Sequence, residues 1–114
     1  MSGKRSQSKG RAAELELVKI LNDQGIPAQP GKAVSYGSTP DITGIQGIHA
    51  EVKRVERLNI NTAMDQAIRD ADRFRDGSPA VFHRQNRTQW KVTMLLSDWI
   101  RLYRKAIQYG RDTT

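Results

Sequence analysis

The chain has 114 residues, a formal net charge of +7 at pH 7 and no cysteine. That length suits one domain with one core and is too short for two. The missing cysteines exclude disulfides and thiolate metal sites. No apolar run approaches the roughly 20 residues that span a bilayer, and no signal-peptide pattern opens the chain, so a cytoplasmic protein is expected.

A sequence pI near 10.1 favours a polyanionic partner, because each Lys or Arg laid on a phosphate releases condensed counterions. The basic residues gather at the ends. Lys4, Arg5, Lys9 and Arg11 occur in the first eleven residues without an acid, and Arg101, Arg104 and Lys105 near the other end. Basic residues also serve solubility alone, but nucleic acid is the favoured partner.

Residues 1–9 are rich in Ser, Lys and Arg without apolar periodicity and read as a flexible basic arm, leaving 10–110 as the folded domain and 111–114 as a tail. From about Ser8 to Gln24 the pattern turns helical, with Ala13, Leu17, Val18, Ile20 and Leu21 on one stripe and Gly25 and Pro27 as stop signals. Residues 26–38 suggest a loop with one short strand around "KAVSY". Two strands follow at about 41–45 and 48–55, divided by a turn with Gly44 and Gly47.

Asn61 is the expected cap of a second helix, which runs to about Arg75, buries Ile60, Met64, Ala67, Ile68, Ala71 and Phe74, and ends at Gly77. "AVFHR" and "QWKVTML" read as antiparallel strands around "QNRT". Ser97 is placed as N-cap of a last helix with Trp99, Ile100, Tyr103, Ala106 and Ile107 on a buried face and Gly110 at its C-cap. The resulting class is α/β or α+β: one domain with a central mixed sheet of about five strands and helices packed on it.

Chemistry concentrates in "TPDITGIQGIHAEVKRVE". Strand alternation sets Ile48, Ala50 and Val52 on one face and Glu51 and Lys53 on the other, about 7 Å apart along the chain. Asp41, near the end of the neighbouring strand, can reach the same side. Two converging carboxylates offer the hard oxygen ligands that Mg²⁺ prefers, and an adjacent Lys can act on a water or on phosphate charge. A two-stranded ribbon with a solvated charged face is the structural alternative; convergence fails if Asp41 lies on the opposite face of the sheet from Glu51 and Lys53.

Glu14 adds weight. It falls within the apolar stripe of the first helix, where an acid is costly unless a metal, a metal-bound water or Lys53 pairs with it. The competing account is a Glu near a helix start that is stabilised by the dipole and open to solvent. Glu16 falls on the polar side with Lys19 and Asp23.

With these residues assembled, the chain resembles the PD-(D/E)XK nuclease superfamily. Pro40-Asp41 and Glu51-Val52-Lys53 match its signature, and "SKGRAAELELVKILNDQGIPA" is similar to the opening of archaeal-type Holliday junction resolvases, with Gly10 four residues before Glu14. The resemblance covers about residues 8–84 and implies a restriction-endonuclease-like core and a Mg²⁺- or Mn²⁺-dependent endonuclease. Asp41 and Glu51 would bind the metal with the Val52 carbonyl, Glu14 would complete the shell and Lys53 would act on the water. A hydroxyl ahead of the Pro-Asp pair assists in such relatives; Ser38 is favoured over Ser35 and Thr39. Gln66 is similar to a glutamine that follows the acid-x-Lys strand in several nuclease branches, although a helix-surface Gln is more often only solvated.

The expected activity is hydrolysis of DNA phosphodiester bonds by a structure-selective Holliday junction resolvase, acting as a homodimer on branched DNA in a bacterial, archaeal or phage-infected cell. The alternatives are a phage-type nuclease for nicked, flap or single-stranded DNA, and a non-catalytic DNA-binding protein on the same fold. Lys4, Arg5, Lys9, Arg11, Arg54, Arg84, Arg87 and Lys91 are the expected DNA contacts. His83 is read as structural. A basic RNA-binding domain would carry exposed aromatics on strands, whereas Trp90, Trp99 and Tyr103 fit buried stripes.

Overall fold

A computed structural model describes residues 2–31 and 39–113, with side chains over 10–31 and 39–110. The order is α1 (Ser2–Asp23), β1 (Gln29–Pro30), β2 (Ile42–Thr43), β3 (Ile48–Lys53), α2 (Ile60–Phe74), β4 (Ser78–His83), β5 (Lys91–Met94) and α3 (Leu96–Thr113). The strands form one sheet in the order β1-β2-β3-β4-β5. Only β3 and β4 run parallel; the other neighbours are antiparallel. A parallel pair needs a long crossover, and α2 supplies it. The fold is thus α+β around a five-stranded mixed sheet, as the pattern of elements predicts.

α1 starts at Ser2, so the stretch read as an arm continues the helix. It closes where Gly25 adopts φ +84°, with Ile26 N–H donating to the Leu21 carbonyl (2.9 Å) and Gly25 N–H to that of Asn22 (3.0 Å). This paired arrangement needs a left-handed residue, which glycine supplies without strain. Leu17 and Val18 pack on Ala28, Ile42 and Ala50. Ile20, expected in that stripe, is 43% exposed because the two-residue strands β1 and β2 cover only part of the helix. The "KAVSY" strand lies outside the described residues.

On the other side of the sheet, α2 buries Ala63, Met64 and Ala67 against Val81. Its cap is Asn59 rather than Asn61, the Asn59 side chain accepting from Thr62 N–H at 3.1 Å. Its end is Arg75 rather than Gly77: Arg75 turns left-handed (φ 52°) and its N–H returns to the Ala71 carbonyl. Ile68 faces outward and Ala63 takes the buried position instead. Gly77 has a different job. A Cβ there would collide with the Gly47 backbone, and Ser78 N–H bonds the Gly47 carbonyl at 2.9 Å, which sets β4 against β3.

α3 departs most from expectation. The Leu95 carbonyl accepts from Asp98 N–H and Trp99 N–H, so Leu95 holds the cap position and Ser97 falls inside the first turn. Gly110 lies within the helix and does not end it. Nor is α3 packed on the sheet: it makes no extended contact with another helix or strand among the described residues. Trp99 and Tyr103, expected to be buried, are 48% and 51% exposed.

Candidate metal centre

The candidate site grows from the alternation of β3. Ala50 and Val52 join the core beneath α1. His49, Glu51 and Lys53 therefore point to the other face, where Glu51 lies beside Val81 and Lys53 beside His83 on β4. His49 and Glu51 are buried, at 0% and 4% exposure. Charged groups so deep need partners, and the structure supplies them.

Asp41 stands just ahead of β2. The following residue, Ile42, drops into the α1 core, so Asp41 turns toward Glu51 and Lys53. Its Oδ2 accepts the Val52 N–H at 3.0 Å, a side chain thereby taking the place of a strand partner. Burial and then the Glu51 carboxylate push the Asp41 carboxyl up to about 7; the Val52 N–H opposes this, Glu14 adds to it and Lys53 opposes it. A ribbon with a solvated charged face does not describe this arrangement, because Glu51 is buried.

Glu14 joins from α1. Its carboxyl is raised by burial, lowered by Arg11 and raised again by Glu51. The Arg11 guanidinium lies 3.9 Å away, and the Glu14 side chain is 17% exposed. Because α1 begins at Ser2, Glu14 sits mid-helix, beyond the first turn to which dipole stabilisation is confined. A frayed, dipole-stabilised Glu is therefore the wrong account of it.

Lys53 Nζ donates to Gln66 Oε1 on α2 at 2.9 Å. Gln66 is half-buried and holds the lysine from the helix side. Glu14, Asp41, Glu51, Lys53 and Gln66 thus converge, with Val52 tied in through its amide. Ser35 and Ser38 lie outside the described residues.

Three partners escaped the reading of the sequence. His49 Nδ1 lies 2.9 Å from both carboxylate oxygens of Asp76, and its Nε2 lies 3.2 Å from Glu51 Oε1. Burial alone would lower the imidazole, but hydrogen bonds to Glu51 and Asp76 and their charges outweigh it and raise it to about 9. At neutral pH both ring nitrogens carry protons and donate to carboxylates. The signal was present: His49 precedes Glu51 by two, on the same face of a strand. The third residue is Asp70 of α2. Among the described residues, the group of three whose ligand atoms all lie within 4.8 Å of one another is His49, Glu51 and Asp70. A protonated imidazole with both nitrogens engaged is a poor metal ligand. Glu14, Asp41 and Glu51 offer the oxygen donors that a hard divalent ion prefers, but their ligand atoms do not all lie within 4.8 Å of one another.

The proposed DNA contacts divide. Arg11 donates to the Gly31 carbonyl at 2.7 Å, and Arg84 pairs with Glu16 at 3.2 Å and donates to the Thr88 carbonyl. Both make ties within the chain, while their side chains stay 38% and 22% exposed. Glu16 also accepts from Trp90 Nε1 at 2.8 Å; it clamps α1 to the β4–β5 hairpin and does not lie on a free polar face. Arg54 bonds Asn86 at 2.7 Å, Arg87 and Lys91 are exposed, and the side chains of Lys4, Arg5 and Lys9 lie outside the described residues. His83 bonds Thr93 Oγ1 at 2.8 Å, and burial followed by Lys91 lowers its pKa.

Among the described residues no helix is long and apolar enough to cross a membrane. Comparison with family models, with curated proteins and with solved structures returned no match.

Proposed function

We propose that the chain is a metal-dependent DNA endonuclease of PD-(D/E)XK type, with a restriction-endonuclease-like core and a structure-selective, Holliday-junction-resolving activity. The observation that carries the reading is Asp41, a carboxylate pinned on the Val52 N–H and raised to about 7 by burial and by Glu51, with Lys53 alongside. Acids crowded until their ionisation is suppressed are suited to a cation that relieves the repulsion. Glu14, Asp41 and Glu51, with the Val52 carbonyl, fit Mg²⁺ or Mn²⁺ as an all-oxygen donor set. When bound, the ion supplies Lewis-acid polarisation of a phosphodiester oxygen and acidifies a bound water.

The chain's own residues perform the remaining tasks. Lys53, steered by Gln66, donates to the attacking water or to a phosphate oxygen as negative charge builds there. Hydrolysis joins the water oxygen to phosphorus, breaks one P–O ester bond and leaves a proton to be taken up. That proton passes to solvent or to the leaving oxygen. His49, held between Asp76 and Glu51, fixes the Glu51 carboxylate from behind. The net charge of +7 supplies attraction for DNA. Resolution of a four-way junction needs two symmetric nicks, so two subunits complete the activity.

The test is cleavage of a labelled four-way junction beside linear duplex, flap and single-stranded DNA, in Mg²⁺ or EDTA, by wild type and Asp41→Asn. Paired symmetric nicks only in the junction, lost in EDTA and in the variant, are expected. Metal-dependent cutting of the other DNAs would keep the chemistry and replace the substrate. Binding without cutting in either Mg²⁺ or Mn²⁺ would leave a non-catalytic DNA-binding protein.

A further inference from the structure

α3 segregates its residues by heptad position. Leu96, Tyr103 and Gly110 take a, Trp99 and Ala106 take d, Ile100 and Ile107 take e, and Leu95 and Leu102 take g, while Asp98, Arg101, Arg104 and Lys105 fall at b, c and f. Yet among the described residues no strand or helix makes extended contact with α3: Leu96 is 70% exposed, Tyr103 51%, Trp99 48%, Leu102 44% and Ile107 37%. Lone exposed apolar residues are ordinary, but a contiguous stripe over four turns marks an interaction surface. The Trp99 ring already stacks on Tyr103, with centroids 5.1 Å apart and planes 9° from parallel.

The distribution of bulk along the stripe identifies the occupant. At the a and d positions the large Leu96 and Trp99 fill the first half, and the small Ala106 and Gly110 fill the second. A side chain added at Gly110 would meet nothing within 4 Å. Two such helices laid antiparallel with Tyr103 at the crossing set Leu96 over Gly110 and Trp99 over Ile107, one residue from Ala106. Bulk then fills hollow at both ends, as two-fold symmetry demands. A parallel pair would set bulk on bulk and hollow on hollow. Side chains of this kind expose roughly 150–250 Å² when fully open, so the exposed parts of Leu95 to Ile107 offer on the order of 600 Å² per copy, the lower bound for one side of a stable interface. The cations Arg101, Arg104 and Lys105 lie off the stripe, so nucleic acid would select the other side of this helix.

We propose that α3 pairs antiparallel with α3 of a second copy of this chain, forming a two-fold dimer through the Leu96–Trp99–Tyr103–Ala106 seam. The pairing does not rest on the nuclease reading. It would give that reading its second active site, and the two fail separately because association is measured without DNA or metal.

Sedimentation velocity of the full chain in EDTA, across the micromolar range, should show a species of twice the 12.9 kDa chain mass. Trp99→Glu should weaken association roughly a hundredfold, as removal of a central aromatic anchor does, while circular dichroism shows the fold intact. The chain has no cysteine, so single substitutions report orientation. Tyr103→Cys should oxidise to a covalent dimer. Leu96→Cys mixed with Gly110→Cys should cross-link to each other, and Leu96→Cys alone should not. A monomer at every concentration overturns the proposal, as do a dimer unchanged by Trp99→Glu and self-cross-linking of Leu96→Cys. So does an α3 whose amides gain protection only when an oligonucleotide is added.

Discussion

Asp41→Asn separates the electrostatics of the site from its chemistry. The amide keeps an oxygen to accept the Val52 N–H and removes the charge. In the folded chain Asp41 ionises at about 7 against an ordinary 3.8, so folding favours its protonated form. The stability this group contributes is fully present below about pH 4 and is lost as pH rises through 7. At about 1.4 kcal/mol per unit, ionised Asp41 withholds on the order of 4 kcal/mol at pH 8. Asparagine stands in for the protonated acid at every pH. Wild type and variant should therefore melt together near pH 4 and diverge on the way to pH 8, where the variant gains about 16 °C at roughly 4 °C per kcal/mol. Thermal melts followed by circular dichroism in EDTA read this directly. Parallel curves, or a variant less stable at pH 8, would refute the placement of Asp41 beside Glu51 in a dry site. Adding Mg²⁺ asks the second question: wild type should rise by ligand linkage and the variant should not.

Two further outcomes follow from the same cluster. His49 is raised to about 9 from 6.5, so its contribution to stability is present below about pH 6.5 and lost as pH passes 9. His49→Asn should cost about 3 kcal/mol or more at pH 6, because it leaves Glu51 and Asp76 buried without their cation, and should flatten the fall in stability between pH 6.5 and 9. Urea unfolding across that range checks both, and a cost below about 1 kcal/mol at pH 6 would contradict the arrangement. For catalysis, Lys53→Met should slow single-turnover cleavage by about 10²–10⁴, whereas Gln66→Ala should slow it by roughly tenfold, as loss of a positioning contact does, with DNA affinity unchanged in fluorescence anisotropy. Cleavage at the wild-type rate by either variant would remove that residue from the mechanism.

The site and α3 place different demands on one small fold. At the site, buried charge is compensated within the chain: Asp76 and Glu51 hold His49, Gln66 holds Lys53 and the Val52 N–H holds Asp41. On α3, apolar surface stays uncovered by the other described residues. The first fits the nuclease reading proposed above, the second the proposed pairing of α3.

By itself the amino-acid sequence determined the element types and much of their order, because apolar periods of 3.6 and 2 and the punctuation of Gly25, Gly44 and Gly47 are local properties. It also determined that Glu51 and Lys53 share a face of β3, since strand alternation needs no tertiary partner. It did not place caps: Asn59 and Asn61 are chemically equal candidates, and only the backbone around Leu58 and Ile60 decided between them. Nor did it decide which apolar stripe would be covered. The stripes of α2 and α3 look alike on a wheel, but α2 crosses between two parallel strands and must lie on the sheet, whereas α3 leaves the edge strand β5 with no such constraint. The convergence at the site is likewise tertiary. Glu14, Asp41, Gln66 and Asp76 lie far apart in the chain, and their meeting depends on which helix covers which face of the sheet, a matter of long-range packing that no local period encodes.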